Sequence, residues 1–249
     1  MPVYVGASGW QYKDWSRTFY PPGTGSLLEY YSARFRTVEI NATFYRLPEK
    51  PVFEKWDAEA SGDFRFAVKA SRFLTHMKKL KDPEEPVARL LERCAGLKRK
   101  LAVILVQLPG NFPRHDERLE ATLAAFPKNM RIAVEFRHES WFSDEVKNLL
   151  SRYKAALCLA DRGGRLLTPC WKTCDWGYLR MHQGEQRPLP CYNASTLKER
   201  ARMLAGLWKP RQDIFVYFNN DTGGCAIRDA VAFARAAEEA GLSPTRALL

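Results

Sequence analysis

Two short stretches of this chain set a carboxylate beside a cation and aromatic rings. Thr37 to Arg46 reads Thr-Val-Glu-Ile-Asn-Ala-Thr-Phe-Tyr-Arg, and Ile132 to Arg137 reads Ile-Ala-Val-Glu-Phe-Arg, followed by His138, Ser140, Trp141 and Phe142. Strand side chains alternate with period two, so Val38 and Ile40 oppose Glu39 and Asn41, and Val134 and Phe136 oppose Glu135 and Arg137. Carboxylates and imidazoles held together push their pKa values apart, which lets one site keep both an acid and a base near neutrality. Glu39 and Glu135 are therefore candidate bases, with His182 or His76 returning the proton.

Further polar residues close other strand-like runs. Ser8 and Trp10 follow Val3 to Gly6, Lys69 ends the alternating run from Phe64, and Gln107 sits near the end of the apolar run Leu101 to Leu108. Asp161 follows Ala156 to Ala160, and Tyr178, Arg180 and His182 share the polar face of Trp176 to His182. Asn219, Asn220 and Asp221 follow Asp213 to Phe218. Lys69, Arg137 and Arg180 are the expected anion holders, and Ser8, Trp10, Asn41, Tyr45, Arg46, Gln107, Asn219, Asn220 and Asp221 complete a substrate-binding set. The Gly223-Gly224 turn ahead of the last helix is a further anion-site candidate, because free N–H groups and the helix dipole favour negative charge. Glycine there also suits any tight turn.

The elements that position these residues alternate. Ser26 and Glu29 have capping-box spacing for a helix to about Phe35, and further helices are expected around Phe53 to Ala60 and Glu84 to Leu97. Asp116 can cap a helix to Phe126, Ser143 one to about Tyr153, and Thr196 with Glu199 one from about Thr196 to Trp208. Arg162 to Asp175 shows no helical period. The cluster Lys98-Arg99-Lys100 reads as a solvated patch opposite the strand ends. Strand and helix alternate about eight times, and 249 residues match the ~250 of a (β/α)8 barrel. The expectation is one TIM-like barrel domain over 1–249, with the helix between strands 6 and 7 missing or reduced. A doubly wound open sheet is the alternative. In the barrel, the polar residues converge on the mouth at the strand C-termini, where barrel active sites lie. The plain reading of that cluster is mutual pairing, such as Glu39 with Lys69 or Glu135 with Arg180.

Lys plus Arg at 39 against Asp plus Glu at 28 leaves a net charge of +11, which suits anionic partners. No apolar run approaches the ~20 residues of a membrane-spanning helix, and the start lacks a signal-peptide pattern, so a cytoplasmic protein with no membrane partner is expected. Six cysteines are scattered without a disulfide framework, so reduced thiols are expected. The spacing of Cys170, Cys174 and Cys191 is wrong for a zinc or iron–sulfur knuckle.

Taken together, several segments resemble the YecE-like family, a domain of unknown function. They are Gly6-Ala-Ser-Gly-Trp10-x-Tyr12-x-x-Trp15, the Thr37 to Arg46 stretch, Phe64-x-Phe-x-Val-Lys69 with Thr75-His76, Gln107-Leu-Pro, Val134-Glu-Phe-Arg-His-x-Ser-Trp141, Arg180-Met-His182 and Phe218-Asn-Asn-Asp221. The resemblance spans almost the whole chain and implies a TIM-barrel-type fold but no particular reaction. Gln183 between His182 and Gly184, and Cys225 before Ala226, depart from the family pattern.

The leading expectation is an enzyme, a hydrolase, lyase or isomerase, acting by acid–base chemistry on an anionic, phosphate-bearing substrate at the mouth, with no cofactor. One alternative is a nucleic-acid binder using the basic loop Lys69 to Lys81 with Phe73, His76 and Met77, since basic loops track phosphates and aromatics stack on unpaired bases. Another is a divalent-metal-dependent hydrolase or isomerase with Glu39, Glu135, Asp161 and His182 as ligands, although nearby Arg and Lys compete for those carboxylates. A partner-binding scaffold would not need so polar a mouth. Oligomeric state is left open.

Overall fold

A computed structural model of the chain describes residues 2–16, 18–209 and 211–249. In chain order the elements are β1 (Pro2–Ala7), α1 (Leu27–Arg34), β2 (Thr37–Ile40), α2 (Ala42–Tyr45), α3 (Lys50–Glu59), β3 (Arg65–Lys69), α4 (Glu84–Cys94), β4 (Leu101–Gln107) and α5 (Asp116–Ala125). There follow β5 (Ile132–Glu135), α6 (Asp144–Arg152), β6 (Ala156–Arg162), β7 (Arg165–Leu166), β8 (Gly177–Gln183), α7 (Ala194–Leu207), β9 (Ile214–Phe218), α8 (Cys225–Glu239) and β10 (Ser243–Pro244).

The ten strands form one mixed α/β sheet in the order β10-β1-β9-β8-β6-β5-β4-β3-β2, with β7 added antiparallel to β6. The other ladders are parallel. Neighbours follow chain order without the reversal of a doubly wound sheet. The sheet curls until β1 lies against the far edge strand β2. There Tyr31 Oη accepts from the Ala7 N–H at 2.9 Å and donates to the Thr37 carbonyl at 3.1 Å. Gly6 is required at this approach, because a Cβ would fall 2.2 Å from the Thr37 carbonyl oxygen. No helix among the described residues is long and apolar enough to cross a membrane.

Strand alternation divides the core in two. Outward side chains such as Val38, Phe66, Ile104 and Val134 pack under the helices in the larger cluster. Inward side chains, including Tyr4, Ala67, Leu105, Ala133, Cys158, Tyr178 and Tyr217, fill the inside of the curl. Two residues further along several strands, the same inward rows turn polar: Ala67 gives way to Lys69, Leu105 to Gln107, Ala133 to Glu135, and Tyr178 to Arg180 and His182. The site therefore stands directly on the apolar filling of the sheet.

Local chemistry explains where helix starts and loops differ from expectation. Ser26 Oγ accepts the Glu29 N–H at 3.2 Å, as its capping spacing requires. Asn193 instead of Thr196 precedes α7, and Thr196 spends its hydroxyl on Glu185. His115 occupies the cap before α5, while Asp116 pairs with Arg114. Residues Phe73–Met77 of the basic loop wind into a π-helical turn. Lys100 is not solvated; its Nζ is buried and bonds the Asp57 and Ala60 carbonyls. Residues 163–176 hold β7 and no helix.

Candidate functional site

Arg180 is the hub of the inward polar layer and is 1% exposed. Its Nη2 donates to Glu39 Oε1 at 2.8 Å and its Nη1 to Glu135 Oε2 at 2.7 Å. Tyr178 donates to the other Glu39 oxygen at 2.6 Å. Glu135 Oε1 accepts Arg137 Nε at 3.1 Å and lies 3.2 Å from His182 Nε2. His182 Nδ1 is 3.4 Å from Asn219 Nδ2, and Asn219 Oδ1 accepts from Asn41 Nδ2 at 3.2 Å. The chain of contacts is satisfied when His182 carries its proton on Nε2, facing Glu135, and accepts on Nδ1.

The electrostatics follow from burial. Desolvation would raise the Glu135 pKa, but the charge of Arg180, then the hydrogen bond from His182 and the charge of Arg137, outweighs it and holds the carboxyl well below its ordinary value. Burial disfavours the Arg180 charge, yet Glu39 and Glu135 on either side keep its pKa above ordinary. Both carboxylates of the site have each oxygen engaged by a donor. Glu135 makes the pair with Arg180 that simple charge matching suggests, whereas Glu39 bonds Arg180 and Tyr178, not Lys69. Lys69 Nζ instead sits 4.2 Å from the centre of the Phe44 ring. Among the described residues no carboxylate lies within 4.0 Å of it.

Beside this layer, between the ends of β5, β6 and β8, opens a cavity of about 520 Å³. Phe136, Phe142 and Leu167 supply apolar wall, and Glu135, Arg137, Arg162 and His182 supply the polar part. This is the scale and lining of a small-molecule pocket. The terminal nitrogens of Arg137 have no partner among the described residues. Arg162 is absent from the residues expected from sequence, although its signal is visible: it lies two positions beyond Ala160 on the inward row. Tyr178 was legible on the polar face, but its hold on Glu39 was not. Asp221 stands at the end of β9, where burial pushes its carboxyl up to about 7 against the opposing pull of Tyr12. Its Oδ1 has no hydrogen-bond partner, and neither has buried Ser8 Oγ or Asn41 Oδ1. Gln107 is buried in register with Glu135.

Several expected site residues lie elsewhere. Trp10 is in the core, edge-on to Trp56 at 5.3 Å, because its ring has more apolar surface to bury than the mouth offers. Tyr45 is 74% exposed and Arg46 is exposed, both on the rim after α2. His76 packs against Phe44 and bonds Thr75 at 2.9 Å, away from the Glu135 network. Asp161 and Asn220 are of the wrong parity for the mouth. Asp161 faces the helices and pairs with Arg200 of α7 at 2.8 Å, and Asn220 bonds Asp229 of α8 at 2.7 Å. The set Glu39, Glu135, Asp161 and His182 therefore does not converge on one metal position, and the described residues contain no group of three or more His, Cys, Asp or Glu able to hold a metal ion. At the glycine turn, the Gly223 N–H is taken by the Asp14 carboxylate at 3.2 Å, so the chain's own anion fills that position. Contrary to the expectation of reduced thiols, Cys191 and Cys225 form a disulfide, tying the loop after β8 to the start of α8.

A family model described as a protein of unknown function, DUF72, matches residues 4–248. The UPF0759 protein YunF of Bacillus subtilis (strain 168) is 30% identical over 259 residues, covering 90% of each chain. The UPF0759 protein YecE of Escherichia coli (strain K12) is 32% identical over 152 residues, 60% of this chain and 54% of that one. The crystal structure of a DUF72 family protein from Thermotoga maritima superposes with a TM-score of 0.85 at 29% identity, covering 96% of this chain and 100% of that one. A DUF72 family protein from Enterococcus faecalis shares the fold with a TM-score of 0.79 at 19% identity, covering 95% of each chain.

Proposed function

Starting from a chain that belongs to the DUF72 family of proteins of unknown function, the YecE-like proteins, we propose an enzyme that moves protons on a small anionic substrate at the C-terminal ends of its strands. In this reading the curled sheet is a (β/α)8 barrel forming one domain over 1–249, whose crossover from β6 to β8 lacks its helix. The observation that carries the proposal is the sealed Glu39–Arg180–Glu135 clamp, with His182 and the free end of Arg137 above it. Burying three charges costs several kcal/mol per ion, more than their attraction reliably returns, and a purely structural barrel fills the same place with branched apolar side chains.

The roles follow from what each group has left to give. Arg137 and Arg162 hold the anion at the cavity, the planar guanidinium being suited to a phosphate. Glu135 and Glu39 have no oxygen to spare, so they orient His182 and Arg180 and do not themselves take the substrate proton. His182 is the proton carrier: Glu135 fixes its tautomer, and its 3.4 Å contact to Asn219 is the one a substrate displaces. Asp221, partly protonated near neutrality, is the complementary acid. Proton transfer of this kind serves hydrolysis, elimination and isomerisation alike.

The test is a thermal-shift titration with inorganic phosphate, phosphosugars and nucleotides, since a ligand that binds only the folded state raises its melting temperature. The shift should vanish in Arg137→Ala/Arg162→Ala with the far-UV spectrum unchanged, and His182→Gln should keep the shift but lose turnover of any substrate found. An undiminished shift in the double variant would overturn the assignment. A second reading rests on the rim, where Tyr45 and Phe73 with Arg72 and Arg89 line a groove of about 160 Å³. Single-stranded nucleic acid bound there would show affinity falling steeply with salt and insensitive to the Arg137 and Arg162 changes.

A further inference from the structure

We propose that Lys69 is an amine nucleophile that captures a carbonyl carbon as an imine, which makes the substrate an anionic aldehyde or ketone. The inference rests on the mouth being an anion-binding active site and changes the role of Lys69 within it.

A buried cation is ordinarily paired. Lys69 ends β3 on the inward row, is 9% exposed, and stands in a layer that contains two carboxylates. Both are committed elsewhere. Glu39 gives its oxygens to Arg180 and Tyr178, and Glu135 gives its own to Arg180, Arg137 and His182. Nζ has no hydrogen-bond acceptor among the described residues. The Phe44 ring beside it, at 4.2 Å, supports the side chain without occupying the nitrogen. The backbone is pinned, since the Lys69 carbonyl accepts from Thr43 Oγ1 at 2.7 Å. The side chain is thus held in place while its reactive atom is left open.

Burial, then the charge of Arg180, push the ammonium down to about 8 against the pull of Glu39 and Glu135. About a tenth of such an amine is neutral at pH 7, against about one part in 3,000 for an ordinary lysine. An anion holder gains nothing from that shift, whereas a nucleophile requires it. His76 packs on the same Phe44 ring, and burial together with the Lys69 charge lowers its pKa, so this neighbour disfavours a second positive charge beside the amine.

The step balances without an oxidant. The nitrogen lone pair forms the C–N bond, the carbonyl π pair moves to oxygen, and proton transfer from nitrogen to oxygen gives the carbinolamine. Asp221, the acid of the site, gives a second proton that lets that oxygen leave as water, and the nitrogen lone pair closes the C=N⁺ bond. The iminium then draws electrons from the adjacent carbon, where His182 can remove a proton. Lys69 on β3 and Arg137 at the end of β5 are two strands apart, on the order of 10 Å, so a short carbon chain carries its carbonyl at one end and its anionic group at the other.

The full-length protein is incubated at pH 7 with sodium cyanoborohydride and either dihydroxyacetone phosphate or uncharged propanal, and adducts are located by intact mass and peptide mapping. One adduct per chain is expected at Lys69, formed at least about tenfold faster than on surface lysines, with a rate that rises through pH 8. Lys69→Arg should lose it while keeping the thermal shift with inorganic phosphate. If Lys69 in the unmodified sequence labels no faster than surface lysines with either probe, the inference is overturned, and the wild-type map decides this even if the variant misfolds. Selective propanal labelling without a phosphate shift supports the nucleophile and overturns the anion site. A phosphate shift without selective labelling does the reverse.

Discussion

The two ends of the sheet carry similar ionic clusters in opposite surroundings. At the N-terminal ends, Asp63 accepts Arg246 at 2.7 and 2.8 Å and is ion-paired with Arg36 at 2.9 Å, with all three side chains 29–39% exposed. At the C-terminal ends, Glu39, Arg180 and Glu135 meet at 2.7–2.8 Å with none more than 1% exposed. Water already solvates the first cluster, so forming it costs little and returns little. The second has surrendered its hydration and depends on the pairing of its own groups, with Arg180 Nε left without a partner. An arrangement retained at that cost points to use, and the orphan atoms Ser8 Oγ, Asn41 Oδ1 and Asp221 Oδ1 around it point the same way.

The comparison breaks most visibly at Arg180. Arg180→Met leaves two buried carboxylates facing each other, and a loss of about 3–5 kcal/mol in urea-unfolding stability is expected. A variant as stable as the parent would mean that the mouth is wetter than its burial indicates. Tyr178→Phe removes a buried donor to a charged oxygen, for which about 1.5–3 kcal/mol is expected by the same measurement. A loss under half that would show another group replacing the hydroxyl at Glu39.

A third experiment uses pH. The Asp221 carboxyl is raised in the folded state to about 7 from an ordinary 3.8. The stability it contributes is fully present below the unfolded value and is lost as pH rises through about 7. Asp229, pushed up to about 6 by burial, acts in the same direction. Asp221→Asn should therefore gain on the parent by about 1–2 kcal/mol between pH 4 and pH 7, followed as melting temperature across that range. A constant difference would place Asp221 in water.

How much of this was legible in the sequence depended on whether a contact was local. Period-two alternation alone put Glu39, Lys69, Glu135, Arg180, His182 and Asn219 on one inward row: Lys69, Glu135, Arg180 and Asn219 each follow an inward core residue two positions earlier, His182 follows Arg180, and Glu39 follows Thr37. The same parity excludes Asp161 and Asn220, but proximity to the strand ends outweighed it, and their partners Arg200 and Asp229 come from helices whose facing is set by tertiary packing. The choice of Glu39 by Arg180 over Lys69 was equally hidden: a planar guanidinium with two donating ends spans two carboxylates, and only the curl of the sheet brings both within reach. Cys191 and Cys225, 34 residues apart, carry no local signal of their bond. A loop aromatic such as Trp10 carries the same sequence signature whether it lines a pocket or caps a core.

The smallest effect belongs to the exposed end and is the control for the others. The guanidinium groups of Arg246 and Arg36, with Ser61, hold the Asp63 carboxyl well below its ordinary value, overcoming a partial burial that works the other way. A folded-state pKa lowered in this way contributes stability above the unfolded value near 3.8, and that stability is lost as pH falls from there. With 39% of its side chain exposed, solvent screening reduces the contribution to about 1 kcal/mol or less. Asp63→Asn should thus lose no more than about 1 kcal/mol at pH 7 and converge on the parent as pH falls below about 4. Its pH slope is opposite in sign to that of Asp221→Asn and sits in a different window. If Asp63→Asn instead costs as much as Arg180→Met, exposure does not distinguish the two ends of the sheet, and the buried clamp loses its claim to be there for chemistry.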